Sequence, residues 1–110
     1  MKSYELIIIG GGLAGLCCAI HLAKEGKSVV VIEKESFPHH KVCGEYVSNE
    51  VVGYLNALGI DPYHHGAVAI NELEWSTVDG KNVCVELPLG GFGMSRFALD
   101  RLLFQKPSHL

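Results

Sequence analysis

The sequence predicts an α/β fold built on a strand–helix–strand unit, and three features of the first thirty-four residues support this prediction. An apolar run from Leu6 to Ile9 predicts a strand over residues 4–9. An apolar-rich segment with helical periodicity follows, and Gly26 ends it after Lys24. A second apolar run predicts a strand over residues 28–32. Because a helix connects the two strands, we expect them to be parallel neighbours.

The turn between the first strand and the helix is rich in glycine. Gly10, Gly12 and Gly15 have the spacing G-x-G-x-x-G, in the strand–turn–helix context of a dinucleotide-binding fingerprint. Gly10 makes the tight turn, Gly12 allows a diphosphate to approach the backbone, and Gly15 allows the helix to pack closely on the strands. The N–H groups at the helix start, with the positive end of the helix dipole, then hold the phosphates without a cationic side chain.

An acidic residue completes the fingerprint. Glu33 follows the second strand, 21 positions beyond Gly12. A carboxylate at this distance accepts hydrogen bonds from an adenosine ribose and repels a 2′-phosphate, which disfavours NADP. The sequence therefore predicts an adenine-dinucleotide fold.

Two other interpretations apply to the same apolar segment. Residues 6–23 could form a signal peptide or a membrane span, and Gly11 and Gly15 match the G-x-x-x-G spacing of membrane helices. Glu5 at the entrance, His21 inside and the consecutive glycines, which weaken a helix, argue against both.

The composition describes a small globular protein. With 110 residues, a hydrophobic fraction of 48% and a net charge of −3, the chain fits at most one small domain and has no basic field for nucleic acid. The cysteines form no C-x-x-C motif and predict reduced thiols in the cytoplasm, with Cys17, Cys18 and Cys84 as small core side chains. The adjacent pairs His39-His40 and His64-His65 lack the i, i+4 spacing of two helix-borne ligands, so no metal site is expected.

The middle of the chain predicts a loop, a helix and a second loop. Residues 35–45 are expected to form a loop at the ligand-binding edge of the sheet, where Gly44 supplies backbone freedom. Ser48 is a suitable N-cap for a helix over residues 48–58, whose apolar stripe contains Val51, Val52, Leu55 and Leu58. Residues 60–66 predict another loop.

Residues 70–87 predict a β-hairpin. A three-residue loop, Val78-Asp79-Gly80, places Gly80 in the left-handed conformation that such loops require. The resulting register gives two apolar cross-strand pairs, Trp75 with Val83 and Leu73 with Val85. Trp75 is therefore expected in the core of the hairpin.

The last part of the chain predicts a joint and a helix. Residues 90–93 (GGFG) predict a flexible joint, and Ser95 is expected to cap a helix from Arg96 to about Lys106. The side chains available for packing are Phe97, Leu99, Leu102, Leu103 and Phe104. Pro107 is expected to end this helix, and residues 108–110 form a tail without structural signal.

Three segments together resemble one protein family. The first thirty-four residues resemble the FAD-binding front of the flavoprotein monooxygenase and geranylgeranyl reductase superfamily, whose members share a glutathione-reductase-like FAD fold. Residues 41–45 (KVCGE) are similar to the K-x-C-G segment of the geranylgeranyl reductase branch, and residues 96–103 (RFALDRLL) to the superfamily's R-x-x-L-D-x-x-L helix. The resemblance implies a Rossmann-like FAD-binding βαβ unit with an added β-hairpin and helices, in an incomplete form.

The resemblance also implies which residues contact FAD. The pyrophosphate is expected to meet Gly10, Gly12, Leu13, Ala14 and Gly15, and the adenosine ribose Glu33 and Lys34. Lys41, Cys43 and Gly44 are expected near the ribityl chain or the flavin, and Arg96 at the middle of the cofactor. Lys41 would favour a thiolate at Cys43, although an ordinary loop thiol is the preferred interpretation.

Family members are several hundred residues long and carry later Asp-Gly and Gly-Asp segments and a substrate-covering sheet that this sequence lacks. Residues 1–110 are therefore expected to be the amino-terminal segment of an FAD-binding domain. The whole protein is expected to be an FAD-dependent oxidoreductase that reduces or hydroxylates a small apolar organic substrate with NAD(P)H as reductant. Cys43-Gly44 favours the reductase.

Two alternatives stay open. One is a truncated, catalytically inactive dinucleotide-binding module, whose uncovered sheet edge favours self-association. The other is the NAD-binding domain of a dehydrogenase. Neither requires nucleic acid or an integral membrane segment.

Overall fold

The computed structural model describes residues 1–106, which form two compact units. The first unit comprises Met1–Cys43 with the chain from Ser95 onward, and the second comprises Gly44–Met94. In chain order the elements are β1 (Leu6–Ile9), α1 (Leu13–Lys24), β2 (Val29–Ile32), β3 (Tyr46–Ser48), α2 (Val52–Ala57), β4 (Val68–Ser76), β5 (Asn82–Gly93) and α3 (Arg96–Gln105). The predicted helix end at Pro107 and the tail over residues 108–110 lie outside the described residues.

The first unit contains the predicted strand–helix–strand motif. β1 and β2 pair in parallel, from Leu6 opposite Val29 to Ile9 opposite Ile32. Gly26 adopts a φ of 79° and its N–H donates to the carbonyl of Ala23, which ends α1 in a left-handed cap. The predicted α/β fold with two parallel neighbouring strands is confirmed.

α3 packs against α1 within the first unit. The side-chain oxygen of Ser95 accepts a hydrogen bond of 3.1 Å from the N–H of Ala98, so the predicted N-cap is confirmed. Apolar side chains of the two helices form the core, and the buried ones are Leu16, Ala19, Ile20, Leu99 and Leu103. α3 also carries one buried carboxylate, that of Asp100, which is 1% exposed.

The second unit is a three-stranded antiparallel sheet with β5 between β3 and β4. The predicted register is confirmed, because Trp75 pairs with Val83 and Leu73 with Val85. The predicted three-residue loop is also present, since Gly80 has a φ of 88° inside a turn that the Thr77 N–H closes onto the Lys81 carbonyl at 2.8 Å.

The prediction of a flexible joint at residues 90–93 is wrong. These residues form the end of β5, where Gly91 pairs with Ser48 of β3 and with Ile70 of β4. A Cβ on Gly91 would lie 2.5 Å from the ring of Tyr46, so glycine here makes room for a cross-strand aromatic side chain. Phe92, next along the strand, is fully buried.

The prediction that Trp75 is a core residue is also wrong. The cross-strand pairs form as expected, but Trp75 is 71% exposed, and its face of the hairpin is open. Cys18 and Cys84, predicted as core side chains, are exposed, and Cys17 is half-buried. Strand alternation shows which side chains share a face, but it does not show whether another layer covers that face.

The predicted helix over residues 48–58 begins as a 3₁₀ turn, Asn49–Val51, which Ser48 caps by accepting from the Glu50 N–H, and continues as α2. Leu55 and Leu58 are buried as predicted, whereas Val51 is exposed. The predicted loop over residues 60–66 contains a second 3₁₀ turn, Pro62–His65. Within residues 1–106, no helix has both the length and the apolarity that crossing a membrane requires.

Candidate dinucleotide site

The glycine turn between β1 and α1 is open on one side. Gly10 has a φ of 101°, a left-handed value that favours glycine, and its N–H donates to the Ile32 carbonyl at 2.8 Å. A Cβ built on Gly10 or Gly12 would meet no protein atom within 4 Å. The chain therefore leaves space beside Gly12, as the approach of a diphosphate to the backbone requires.

Gly15 closes the opposite side of the turn. A Cβ at this position would lie 2.0 Å from the carbonyl oxygen of Gly10 and 3.3 Å from Cγ2 of Ile8. The helix can therefore approach β1 this closely only because residue 15 lacks a side chain, which is the packing predicted for this glycine.

The first turn of α1 offers unpaired N–H donors to this space. The earliest bond of the helix runs from the Leu16 N–H to the Gly12 carbonyl at 2.9 Å, so the N–H groups of Leu13, Ala14 and Gly15 precede the helical ladder. Gly12 provides no side-chain cap, and the described first turn contains no acidic residue. An anion placed here would meet backbone donors and the positive end of the helix dipole.

Glu33 points at the glycine turn from the end of β2. Its Oε2 accepts from the Gly11 N–H at 2.7 Å, and its Oε1 accepts from the Glu35 N–H at 3.0 Å. The pKa of this carboxyl is lowered, first by the Glu35 N–H and then by the Gly11 N–H, with smaller contributions from the Lys34 N–H and the charge of Lys41, whereas desolvation raises it. An ionised carboxylate has lone pairs beyond the two used here, so ribose hydroxyls can still donate to it.

Phe37 covers Gly11, the middle glycine of the triplet. A Cβ on Gly11 would lie 2.4 Å from the edge of the Phe37 ring, and that ring stacks on Phe104 with centroids 4.6 Å apart. The dinucleotide fingerprint leaves the position of Gly11 unspecified, so the sequence predicted no contact for it.

Lys41 and Arg96 meet at the buried carboxylate of Asp100. Lys41 Nζ lies 2.5 Å from Asp100 Oδ2, and Arg96 Nε donates to Asp100 Oδ1 at 3.1 Å. The cationic side chains are 22% and 21% exposed, whereas that of Asp100 is 1% exposed. Sequence reasoning missed Asp100, although the residue is the aspartate of the R-x-x-L-D-x-x-L segment.

The other predicted site residues are more peripheral. Lys34 is exposed after β2, and Cys43 is exposed at the end of the first unit's loop. Gly44 begins the second unit, and the residue with a left-handed backbone in this stretch is Glu45, which has a φ of 60°. Within residues 1–106, no three His, Cys, Asp or Glu side chains are grouped in a way that could hold a metal ion.

Comparison of the sequence with known protein families indicates which dinucleotide proteins of this fold bind. A family profile described as "FAD binding domain" matches residues 5–74. The chain belongs to the FAD binding domain family. FAD, predicted ahead of NAD from the later segments, is confirmed as the cofactor of this family.

Several curated proteins resemble the chain. It is 30% identical over 100 residues to a menaquinone reductase of Mycobacterium tuberculosis, covering 91% of this chain and 24% of that protein. It is 41% identical over 59 residues to a 1H-pyrrole-2-carbonyl-[peptidyl-carrier protein] brominase of Pseudoalteromonas luteoviolacea, covering 54% of this chain and 14% of the relative. A squalene monooxygenase of Eremothecium gossypii is 31% identical over 80 residues, with coverages of 73% and 15%. The chain thus spans at most about a quarter of the length of these relatives.

Solved structures show the same fold. The p-nitrophenol 4-monooxygenase PnpA of Pseudomonas putida superposes with a TM-score of 0.85 at 19% identity, covering 100% of this chain and 31% of that one. The flavin-dependent brominase Bmp2 superposes with a TM-score of 0.79 at 24% identity, with coverages of 98% and 28%. The predicted Rossmann-like flavoprotein fold is confirmed.

Proposed function

We propose that the chain binds FAD with its diphosphate at the start of α1 and its adenosine ribose at Glu33. One observation supports this assignment above the others. The uncapped first turn of α1 opens onto the empty space beside Gly12, and an ionised carboxylate is hydrogen-bonded to the adjacent Gly11 N–H. In this proposal Gly10, Gly12, Leu13, Ala14 and Gly15 surround the diphosphate.

The remaining cofactor contacts follow the family position of each residue. Lys34 meets the adenosine ribose, Lys41, Cys43 and Gly44 lie near the ribityl chain or flavin, and Arg96 meets the middle of the cofactor. The shared pairing of Lys41 and Arg96 with Asp100 supports the proposal for these two, because it holds both cations in one part of the first unit.

For the whole protein we propose an FAD-dependent oxidoreductase, of which residues 1–110 are the amino-terminal segment of the FAD-binding domain. FAD supplies the electron transfer, and the residues of this chain bind and orient it. A reductase of a small apolar organic substrate, with NAD(P)H as reductant, is favoured over a monooxygenase. The menaquinone reductase match, which covers 91% of this chain, and the Cys43-Gly44 pair support that choice. The brominase match makes a flavin-dependent halogenase the second candidate.

We also propose a cytoplasmic location and self-association of the chain. A cytoplasmic location is supported by the four cysteines, all of which are free thiols. Self-association is supported by an apolar groove of about 390 Å³ that runs along β2 and is lined by Val29, Val31, Leu16 and Phe104 among others. Among the described residues β1 and β2 pair only with each other, and a strand edge without a partner can pair with another chain.

Titration of the purified chain with FAD and with NAD, followed by flavin fluorescence and by calorimetry, tests the cofactor proposal. Gly12→Val is expected to abolish FAD binding and to leave the far-ultraviolet circular dichroism unchanged, since a side chain at this position enters empty space. Gly53→Val is the matched control, because a Cβ at Gly53 of α2 also meets no atom within 4 Å. FAD binding by Gly12→Val with unchanged affinity would contradict the proposed site.

A further inference from the structure

Asp100 is the one buried charged side chain among the described residues, and two cations share it. Lys41 reaches it from the loop that follows β2, across 59 positions of sequence. Arg96 reaches it from the preceding turn of the same helix. Asp100 therefore fixes a loop residue and a helix residue side by side.

The charges of this cluster do not cancel. Two cationic side chains surround one carboxylate, so Asp100 alone does not balance them, and Glu33, whose pKa the charge of Lys41 helps to lower, is a second carboxylate within reach of Lys41. Arg96 uses Nε–H on Asp100, so its guanidinium retains other N–H donors, and the Lys41 ammonium likewise has further donors. Both cationic side chains are about one-fifth exposed, whereas the side chain of Asp100 is 1% exposed.

The cluster lies within electrostatic reach of the nucleotide site. The charge of Lys41 contributes to the lowered pKa of Glu33, the residue that points at the glycine turn. Glu33, Lys41, Arg96 and Asp100 all belong to the first unit. An anionic group bound beside that turn is therefore an available partner for the N–H donors of Lys41 and Arg96 that Asp100 does not use.

We propose that Asp100 is a positioning residue for FAD, which holds Lys41 and Arg96 together so that their remaining N–H donors bind an anionic oxygen of the cofactor. This inference rests on the proposed function. Asp100 is too deeply buried to contact the cofactor, and it acts only through its two cationic partners.

The Asp100→Asn variant distinguishes a role of Asp100 in positioning the two cations from an effect of their charge alone. If the cations act only through their field, removal of the buried negative charge raises the local positive potential and should tighten FAD binding. If Asp100 positions them, its neutral replacement leaves two adjacent cations that repel each other, and binding should weaken. We expect an increase in the FAD dissociation constant of about tenfold or more, the size of one lost charge-assisted hydrogen bond.

The experiment measures FAD affinity by calorimetry at several salt concentrations, with the thermal stability of each cofactor-free variant. Asp79→Asn, the same substitution in the exposed hairpin loop, is the control and should bind FAD as the wild-type chain does. If the two cations of the Asp100→Asn variant no longer meet the cofactor, the salt dependence of FAD binding should also flatten, which a purely structural role would not change.

Two further variants keep the inference testable if Asp100→Asn does not fold. Lys41→Met and Arg96→Met each leave Asp100 with one cationic partner, and each should weaken FAD binding and flatten its salt dependence. Wild-type affinity in both would overturn the inference, as would tighter binding by a folded Asp100→Asn variant. Failure of the wild-type chain to bind FAD would instead contradict the proposed function.

Discussion

Replacement of Gly15 by alanine should destabilise the cofactor-free chain more than any other single methyl group added to the glycine turn. The new Cβ would lie 2.0 Å from the carbonyl oxygen of Gly10, far inside van der Waals contact. This oxygen belongs to the backbone of the turn, which the bond from the Gly10 N–H to the Ile32 carbonyl holds in place. The clash can therefore be relieved only by moving α1 away from β1.

The size of the effect follows from two opposing terms. Overpacking costs about 1–3 kcal/mol, and a rigid backbone neighbour places Gly15→Ala at the upper end, about 3 kcal/mol. Alanine in place of glycine inside a helix recovers about 1 kcal/mol. The net loss is about 2 kcal/mol, which corresponds to a decrease in Tm of roughly 8–16 °C for a chain of this size.

Gly12→Ala provides the matched comparison three residues earlier. Its Cβ meets no protein atom, and the φ of −75° at Gly12 is allowed for alanine. Alanine is a poorer N-cap than glycine, so we expect a loss of only about 0.5 kcal/mol. Chemical denaturation followed by circular dichroism measures both variants without FAD, and an FAD titration follows. Gly15→Ala should lose the larger amount of stability, whereas Gly12→Ala should lose little stability and should lose FAD affinity. A Gly15→Ala variant as stable as the wild-type chain would refute the close-packing argument.

Three other predictions follow from single contacts. Ser95→Ala should lower the free energy of unfolding by about 1 kcal/mol, because it removes the N-cap of α3, and urea denaturation measures the loss. Glu33→Gln should remove a stabilisation that is present above the ordinary carboxyl pKa of 4.5 and that disappears as the pH falls through the lowered pKa of the folded state. The difference in stability between the wild type and the variant should therefore shrink on acidification. A constant difference from pH 7 to pH 3 would contradict the role of the Glu33 charge. Trp75→Thr should change the free energy of unfolding by less than about 0.5 kcal/mol, because the side chain is 71% exposed, and a loss above about 2 kcal/mol would show that the hairpin face is covered.

The features that sequence reasoning predicted well are local ones. The glycine turn, the end of α1 at Gly26 and the hairpin loop at Gly80 each depend on residues within a few positions of one another. Their conformations follow from the backbone freedom of glycine and from short-range hydrogen bonds. Glu33 was also predictable, because one strand and one helix of ordinary length fix its distance from the turn.

The features that sequence reasoning missed depend on distant partners. From the sequence, the glycines of β5 resemble those of a flexible segment. In the structure, the ring of Tyr46, which lies 45 positions before Gly91, packs against that strand. Phe37 explains Gly11 in the same way, because its ring occupies the space where a side chain on that residue would lie. A glycine in the sequence is therefore compatible both with a flexible backbone and with close packing of another residue against it. Only the tertiary contact shows which of the two applies.

Asp100 shows how the same limit applies to charge. An aspartate one turn after Arg96 on a helix is ordinarily a surface ion pair, which contributes little to stability. Here Lys41 from a separate loop also binds Asp100, and the Asp100 side chain is almost completely buried, so the pair is not an ordinary surface ion pair. Removal of either cation leaves a buried carboxylate with one partner, and removal of the carboxylate leaves two cations in mutual repulsion. The three residues therefore have to be retained or replaced together, and the sequence shows this coupling only after the fold has brought residues 41 and 100 into contact.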